Sequence, residues 1–290
     1  MHVLLYGANG WIGGQVLDLL QKQCISYSVA NSRADDLDSA VNLITNSLPR
    51  PTHVLCLIGR THGDGINTID YLEQPGKLSE NVRDNLMAPV QLAILCTKHN
   101  VHFTYLGTGC IFSNEMNPDA NPYGEAALPD FFGSSYSIVK GFTDRLMHTM
   151  DTSVLNLRIR MPITDNMHPR NFITKITSYE KVCSIPNSMT ALPELLPVMV
   201  DMMQKRITGT INLTNPGTIS HNEILQMYKE IVDPSFKWTN FTIEEQNAIL
   251  KSKRSNNKLD TTKLQSLYPE VSDIKTAVRE CILRIAQANN

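Results

Sequence analysis

The sequence predicts an α/β fold in which a doubly wound parallel sheet, covered by helices, is followed by a smaller and mostly helical region. Over residues 1–160, short apolar runs alternate with longer amphipathic runs, and strands that alternate with helices form parallel sheets. Beyond residue 160, strand signals are sparse. The length of 290 residues suits two domains, at about 150 residues each. We therefore expect a cofactor domain over 1–160 and a substrate domain over 161–290, with some later segments returning to the first.

The elements follow from apolar periodicity and from start signals. Short apolar runs predict the strands His2–Tyr6, Ser26–Ala30, His53–Ile58, His102–Leu106 and Val154–Ile159. Longer amphipathic runs predict the helices Trp11–Gln23, Ser79–His99, Ser135–Met150 and Asp273–Ala288. Two capping boxes, Ser220-x-x-Glu223 and Thr242-x-x-Glu245, each predict a further helix start. The segment Gly109–Phe132, which contains several Pro, Asn and Gly residues, predicts a long loop, and loops of this length are usually functional.

Composition narrows the class of protein. Hydrophobic residues make up 42% of the chain and charged residues 19%, as in ordinary globular proteins. The 26 basic and 28 acidic residues give a net charge of −2, so no global field favours a nucleic acid or an anionic membrane. No apolar stretch reaches the roughly 18 residues that span a bilayer. The six cysteines lack CxxC spacing and the histidines lack HxxxH pairs, so we expect reduced thiols, a cytoplasmic location and no metal site.

The loop after the first strand has the pattern GxxGxxG, at residues 7–13. Glycines in a strand–loop–helix unit permit a sharp turn, the approach of backbone amides to a pyrophosphate, and tight helix–strand packing. The helix N-terminus adds a partial positive charge. A tight turn without a ligand is the alternative. We favour a Rossmann-type dinucleotide site whose contacts in this loop are Gly7, Asn9, Gly10, Trp11, Ile12 and Gly13.

The end of the second predicted strand normally meets the adenosine ribose, where an acidic residue favours NAD and an arginine favours NADP. Ser32 and Arg33 occupy this position and can bind a 2′-phosphate through charge-assisted hydrogen bonds. Asp35 and Asp36 follow closely and leave open that Arg33 is a solvated loop charge. We expect NADPH (NADP+) as cofactor, with NADH as the less favoured alternative. Further expected cofactor contacts are Ile58, Gly59, Asn85 and Pro162, and Arg60 is an expected substrate contact.

Tyr136 and Lys140 lie four residues apart on one face of a predicted helix. A neighbouring ammonium stabilises a phenolate and lowers its pKa, which makes the phenol a usable acid or base. Together with the glycine loop, this pair resembles the extended short-chain dehydrogenase/reductase superfamily. The third catalytic member of that superfamily, a Ser or Thr after a central strand, matches Thr108 in Leu106-Gly-Thr-Gly-Cys-Ile-Phe112.

A narrower resemblance covers nearly the whole chain. It is carried by the motifs Gly107–Phe112, Arg158–Pro162, His168–Lys175, Ile185–Thr190 and Arg254–Asn257. These resemble the bifunctional nucleotide-rhamnose synthases, the 3,5-epimerase/4-reductase part of plant-type enzymes that also has relatives in giant viruses. The stretch Thr61–Gly76 is longer than the family pattern. The resemblance implies UDP-4-keto-6-deoxyglucose as substrate, NADPH as reductant, a homodimer formed by the helices of Asn85–Cys96 and Tyr136–His148, and, for a viral chain, the host cytoplasm.

The resemblance also implies roles for individual residues. Cys110 and Lys175 would invert C3 and C5, which the C4 carbonyl acidifies, with the thiolate as base and the lysine as proton donor. Tyr136 would then protonate the C4 oxygen, which Thr108 binds, while Lys140 orients the cofactor ribose. A free cysteine is more commonly a small buried hydrophobe, and an isolated lysine is more commonly a solvated helix charge.

Other motif residues have open alternatives. Arg254 is expected to bind the diphosphate, whereas Lys251 and Lys253 fit a solubilising patch equally well. Asn171 and Asn187 are expected either to contact the sugar or uracil, or to be turn and capping amides. Two further functions remain open. One is a 4-keto reductase without epimerase activity, which needs neither Cys110 nor Lys175. The other is a non-catalytic NADP(H)-binding redox sensor.

Overall fold

The computed structural model describes residues 1–113 and 121–288. The chain divides into two compact units that interleave along the sequence. Unit 1 comprises Met1–Ile111, Leu128–Arg158 and Met199–Ile211, and unit 2 comprises Phe112–Ala127, Ile159–Val198 and Asn212–Asn290. The assignment of a cofactor to 1–160 and a substrate to 161–290 stays a prediction. Part of the predicted loop Gly109–Phe132 lies outside the described residues.

Strands and helices alternate in unit 1 as the sequence predicts. Over both units, in chain order, the strands are β1 His2–Tyr6, β2 Ser26–Val29, β3 His53–Cys56, β4 His102–Thr108, β5 Val154–Ile159, β6 Pro162–Ile163, β7 Lys181–Val182, β8 Thr190–Ala191, β9 Gly209–Asn212 and β10 Thr239–Asn240. The α-helices are α1 Trp11–Lys22, α2 Leu37–Asn46, α3 Leu78–Val82, α4 Ala88–Lys98, α5 Ser135–His148, α6 Phe172–Thr177, α7 Leu192–Gln204, α8 His221–Ile231, α9 Ile243–Ile249, α10 Thr262–Leu267 and α11 Ile274–Ala288.

The main sheet has the strand order β2-β1-β3-β4-β5-β9. Strands β2, β1, β3 and β4 pair in parallel. Strand β1 has β2 on one side and β3 on the other, so the strand order reverses at β1. In open α/β sheets, ligands bind at the carboxyl ends of the strands at this switch point. The predicted glycine loop follows β1 and therefore lies at the position that this fold uses for cofactors.

The structure corrects several predicted elements. The predicted helix Ser79–His99 is three segments: α3, a π-helical turn at Arg83–Met87, and α4. Helix α2 was not predicted, although the Asp36 side chain accepts a hydrogen bond from the Ser39 backbone N–H and caps it. Helix α7 and strand β9 were also not predicted, and α7 contains Pro197, which normally signals a helix end.

Apolar side chains fill a core in each unit. In unit 1, side chains from β1, β3, β4 and α4 form a buried cluster that includes Leu4, Val54, Phe103 and Leu92. In unit 2, residues of α6, α8 and α11 pack around β6 and β8. Both predicted capping boxes are present, at the starts of α8 and α9. Within the described residues, no helix is both long enough and apolar enough to cross a membrane.

Candidate active site

The glycine loop joins β1 to α1 in a conformation that only glycines permit at two positions. Gly7 has φ +88°, and a Cβ there would lie 3.0 Å from the Leu57 backbone carbon. A Cβ on Gly13 would lie 2.2 Å from the Gly7 carbonyl oxygen, so helix α1 packs directly against the loop. Helix α1 begins after Gly10, which has no side chain to cap the first N–H groups. The arrangement fits the pyrophosphate of a dinucleotide, because backbone N–H groups and the helix dipole both favour an anion.

Gly59, which follows β3, lies beside two predicted site residues. An ideal Cβ on Gly59 would lie 3.6 Å from Asn85 Oδ1 and 3.9 Å from Lys140 Nζ. The Asn85 side chain is committed to the Arg60 backbone: Arg60 N–H donates to its Oδ1 at 2.9 Å, and its Nδ2 donates to Arg60 O at 2.9 Å. Asn85 therefore fixes the segment after Ile58 that faces Lys140, and it lies in the π-helical turn, a feature often found at functional sites.

Arginines converge on one carboxylate near the end of β2. Asp84 accepts hydrogen bonds from Arg33 at 3.1 Å, from Arg60 at 2.9 Å and from Arg83 at 2.8 Å. Burial raises the pKa of Asp84, but the hydrogen bonds from Arg83 and Arg60 outweigh it, so the pKa is lowered and Asp84 is ionised. Asp35 pairs with Arg33 at 2.8 Å. The set of three arginines and two aspartates has a net positive charge.

This cluster changes the interpretation of the residues around Arg33. The Arg33 side chain is 56% exposed and forms two ion pairs, so its guanidinium is held in one orientation and is not a freely solvated charge. Asp36 is occupied as the N-cap of α2. The Ser32 hydroxyl is buried, and within the described residues neither it nor the nearby Tyr6 hydroxyl has a hydrogen-bond partner. Burial raises the pKa of the Tyr6 phenol. Arg60, predicted as a substrate contact, belongs to the cationic cluster with Arg33.

Thr108, Cys110 and Tyr136 meet at the end of β4. The Thr108 hydroxyl oxygen accepts a hydrogen bond from the Cys110 backbone N–H at 3.0 Å. It also lies close enough to the Tyr136 phenol to lower the pKa of that phenol. The Cys110 side chain is half-buried and packs against a small apolar cluster formed by Tyr71, Leu72 and Tyr136. The structure thus brings together the predicted proton donor, the predicted carbonyl-binding hydroxyl and the predicted epimerase thiol.

The electrostatics of Tyr136 differ from the expectation of a lowered pKa. Burial raises the pKa of the phenol, the neighbouring Cys110 thiol raises it further, and the hydrogen bond with Thr108 opposes the rise. The Lys140 ammonium donates a hydrogen bond to the Tyr105 hydroxyl. Burial lowers the pKa of Lys140 to about 8. Tyr136 is therefore a neutral phenol at neutral pH, the form that donates a proton.

Helix α5 is anchored at its N-terminus by residues that the sequence reasoning missed. The Ser134 hydroxyl caps the helix by accepting from Ser137 N–H at 3.0 Å. Glu73, in a 3₁₀ turn at Ile69–Glu73, accepts from Ser135 N–H at 2.7 Å. Glu73 lies in the predicted insertion Thr61–Gly76, so this stretch supports the turn that presents Tyr136. Only the length of the insertion signalled it in the sequence.

A buried ion pair fixes the middle of the same helix. Arg158 on β5 donates to Asp144 through Nε at 2.8 Å and through Nη2 at 2.7 Å. Asn156 Nδ2 also donates to Asp144, at 2.9 Å. The Arg158 side chain is 0% exposed and that of Asp144 is 5% exposed. Asp144 is one helical turn beyond Lys140, so the pair fixes how far helix α5 is rotated above the sheet.

Unit 2 holds a second cluster of positive charge. Lys175 on α6 is half-buried. Burial lowers its pKa, and the charges of Arg170 and Arg254 lower it further. Arg170, which the sequence reasoning did not single out, therefore joins the two predicted residues. A lysine with a lowered pKa beside two permanent cations suits both proton transfer and the binding of a diphosphate. Lys251 and Lys253 are exposed, as the solubilising alternative expects.

The side chains of the two predicted asparagines of unit 2 form hydrogen bonds with neighbouring protein groups. Asn171 caps α6 through its Oδ1, and its Nδ2 donates to Thr164 O and Asn166 O. Asn187 Oδ1 accepts from Arg160 at 2.7 Å and from Asn257 N–H at 2.9 Å. Both side chains are fully buried, which favours the capping alternative. Pro162, a predicted cofactor contact, begins β6.

The fold and this site define a class of protein. Residues 3–178 match the model of the NAD dependent epimerase/dehydratase family. The chain belongs to this family.

Relatives from a virus and a plant resemble the chain over almost its full length. It is 56% identical over 287 residues to uncharacterized protein L780 of Acanthamoeba polyphaga mimivirus, covering 98% of this chain and 99% of that protein. The crystal structure of the L780 UDP-rhamnose synthase has a TM-score of 0.95 at 55% identity, covering 98% of this chain and 99% of that chain. An Arabidopsis thaliana bifunctional dTDP-4-dehydrorhamnose 3,5-epimerase/dTDP-4-dehydrorhamnose reductase is 42% identical over 281 residues, covering 96% of this chain and 91% of that protein.

A longer plant relative matches over part of its own length. The chain is 42% identical over 282 residues to an Arabidopsis thaliana trifunctional UDP-glucose 4,6-dehydratase/UDP-4-keto-6-deoxy-D-glucose 3,5-epimerase/UDP-4-keto-L-rhamnose-reductase. The match covers 96% of this chain and 41% of that protein. The chain therefore spans about two fifths of the length of this relative.

Proposed function

We propose that the chain is an NADPH-dependent enzyme of nucleotide-rhamnose synthesis that inverts C3 and C5 of UDP-4-keto-6-deoxyglucose and then reduces C4. One observation carries the proposal: Thr108, Tyr136 and Cys110 meet at the end of β4. A reductase needs the first two, and the thiol beside them supplies a group that can exchange protons on the sugar carbons. The plant relative is named for both reactions and the viral relative as a UDP-rhamnose synthase, which supports the proposal.

Reduction follows from the protonation state of Tyr136. The Thr108 hydroxyl binds the C4 carbonyl oxygen, and Tyr136, a neutral phenol, donates its proton to that oxygen as negative charge develops there. Lys140 holds the ribose hydroxyls of the cofactor through its ammonium. A reduced nicotinamide, when bound, supplies the hydride.

Epimerisation needs a group that removes a proton from one face of the sugar and a group that returns one to the other face. We assign the removal to the Cys110 thiolate, since the C4 carbonyl acidifies C3 and C5 and the enolate oxygen is bound by Thr108. We assign the return to Lys175, because the lowered pKa of its ammonium eases proton loss. Arg254 and Arg170 bind the diphosphate, because a guanidinium can donate two parallel hydrogen bonds to a phosphate group.

The test is product analysis in D2O with NADPH and UDP-4-keto-6-deoxyglucose. We expect UDP-L-rhamnose that carries deuterium at both C3 and C5, since each carbon regains a solvent proton after enolisation. Reduction without deuterium at either carbon would establish the plain 4-keto reductase instead. Tight NADPH binding with no turnover would favour the non-catalytic sensor.

The cationic cluster at Asp84 supports NADPH over NADH. Replacing Arg33 by alanine is expected to raise the KM for NADPH about tenfold, because a charge-assisted hydrogen bond to the 2′-phosphate is lost. The KM for NADH, which has no such phosphate, should stay within about twofold on the same argument. Steady-state kinetics with each cofactor measures both. Lys22→Ala, an exposed cation at the end of α1, is the matched control. An equal rise of both KM values would contradict a phosphate role.

We further propose a homodimer formed through the helices of unit 1 and a cytoplasmic location. Apolar side chains on these helices are exposed: Met87 is 55% exposed, Ile94 54%, Phe142 61% and Leu146 40%. They lie on the two segments, Asn85–Cys96 and Tyr136–His148, that the family resemblance assigns to the interface. A second copy that offers the same apolar face would cover them. The six free cysteines fit a reducing compartment.

A further inference from the structure

The thiol of Cys110 and the phenol of Tyr136 share a small apolar cluster in unit 1. Within the described residues, the other members of this cluster all come from one short stretch after β3, namely Ile66, Ile69, Tyr71 and Leu72. Tyr71 and Leu72 are buried, and the half-buried Cys110 packs against the cluster that they form with Tyr136. The stretch 66–72 therefore supplies one wall of the site that holds the thiol and the phenol.

The Tyr71 ring, the largest side chain that this stretch contributes, is fixed from several sides. Its hydroxyl donates to Glu80 Oε2 at 2.7 Å. Lys77 Nζ lies 4.7 Å from the ring centre, within the range of a cation–π contact, and donates to Glu80 Oε1 at 2.8 Å. A Cβ on Gly63 would lie 2.5 Å from Tyr71 Cζ, so the backbone at residue 63 lies directly against the ring. The ring is held at its hydroxyl and at its faces and cannot turn away from the cluster.

The neighbouring phenol of Tyr136 is placed by other contacts. The residue before it, Ser135, donates through its hydroxyl to Leu72 O at 3.1 Å and through its backbone N–H to Glu73 Oε1 at 2.7 Å. The Ser134 hydroxyl caps the same helix end. None of these hydrogen bonds involves the Tyr71 side chain, so α5 keeps its position without the ring.

The thiol of Cys110 has less support of its own. The hydrogen bond from its backbone N–H to Thr108 fixes the main chain but not the rotation about the Cα–Cβ bond. A side chain of this kind has three staggered positions, and packing against the cluster is what distinguishes them. Transfer of a proton from carbon requires reacting atoms about 3–3.5 Å apart, so a wrong rotamer would remove the thiol from its task.

We propose that Tyr71 is a positioning residue for Cys110, whose fixed ring covers one side of the thiol and restricts its rotation. The inference rests on the proposed function and adds to it a residue that supports proton exchange more than reduction. The glycine at position 63 belongs to the same device, because it alone lets the chain approach the ring at this distance.

The first test compares the two reactions in Tyr71→Ala. Deuterium incorporation at C3 and C5 is expected to slow by about 10- to 100-fold, the size of effect that a displaced reacting group produces. Reduction of already epimerised UDP-4-keto-L-rhamnose should keep at least about a third of its kcat, since Tyr136 and the anchors of α5 are unchanged. Tyr71→Phe, which keeps the ring, should retain most of the exchange. An equal fall of both rates in Tyr71→Ala would overturn the proposal.

The second test uses the cofactor-free protein and needs no sugar. Mass spectrometry of the Cys110 peptide measures its rate of alkylation by iodoacetamide, which is expected to rise about tenfold in Tyr71→Ala because access to a thiol sets its reactivity. Gly63→Ala, which pushes against the ring without removing it, should also raise the rate. Gly124→Ala is the matched control, because a Cβ there meets nothing within 4 Å. The exposed Cys24 is an internal reference whose rate should not change in any variant.

Two further thiols report whether each variant is folded. Cys56 and Cys96 are 0% exposed and stay unmodified as long as unit 1 is intact. If Tyr71→Ala exposes them, Gly63→Ala decides the question in its place. An unchanged alkylation rate of Cys110 in the folded variant would overturn the positioning role. A faster rate, together with no deuterium exchange in the unchanged protein, would support that role and count against the proposed function.

Discussion

Replacing Cys110 by alanine is expected to abolish deuterium incorporation at C3 and C5 while C4 reduction of the unepimerised sugar remains measurable. The thiol is the group that we assign to proton removal from carbon, and alanine has no titratable atom to replace it. Thr108 and Tyr136, which bind and protonate the C4 oxygen, are unchanged. The backbone N–H of residue 110 still donates to Thr108 at about the present 3.0 Å, since that bond does not involve the side chain. Mass spectrometry and proton NMR of the product in D2O report both reactions.

A second variant, at Tyr136, is expected to remove C4 reduction while proton exchange at C3 and C5 remains. Tyr136→Phe is expected to lower kcat for C4 reduction by about 10²- to 10⁴-fold, the usual contribution of a positioned general acid. Deuterium should still enter the recovered keto sugar at C3 and C5, because Cys110 is intact. Loss of both activities in a folded Cys110→Ala protein, or loss of exchange in Tyr136→Phe, would mean that the two residues act as one unit.

Local patterns in the sequence predicted the framework of unit 1 correctly. Strand β1 and the start of α1 have the predicted bounds, because a short apolar run, a glycine loop and an amphipathic run follow one another without interruption. The approach of Thr108 to Tyr136 was also predictable, since β4 and α5 each present a motif residue at one end. In these cases the information lies within a few neighbouring residues.

Pairings between distant positions were not predictable in the same way. Glu73 and Ser135 are 62 residues apart, and Tyr105 and Lys140 are 35 apart. Neither partner belongs to a repeating pattern that marks the contact, and the packing of the sheet decides which side chains meet. The π-helical turn at Arg83–Met87 is similar, because its residues continue a helical pattern and only the backbone shows the change in winding. The direction of the Tyr136 pKa is a further case: the sequence shows the spacing to Lys140, whereas the burial that raises the pKa of the phenol comes from packing between distant residues.

The ion pair between Asp144 and Arg158 is expected to have the largest effect on stability. Asp144→Ala should lower the free energy of unfolding by about 3–5 kcal/mol, because it leaves a buried guanidinium without its carboxylate. Arg158 is 0% exposed and gives two hydrogen bonds to Asp144, so water cannot take over this role. Asp201→Ala is the matched control: its ion pair with Lys205 is 2.7 Å long, but the side chains are 38% and 58% exposed. The control should cost less than about 1 kcal/mol, as exposed pairs do.

Denaturant unfolding of the two variants measures this difference, and a loss of similar size in both would show that burial of the Asp144 pair contributes nothing. The link to catalysis is separate and comes from position. Asp144 is one turn beyond Lys140 on α5, and Arg158 and Asn156 hold it from β5. A variant that stays folded at low temperature should therefore also lose kcat, because α5 can rotate above the sheet and the Tyr136 phenol no longer meets Thr108. Asp201→Ala should keep its kcat, since its pair is at the exposed end of α7.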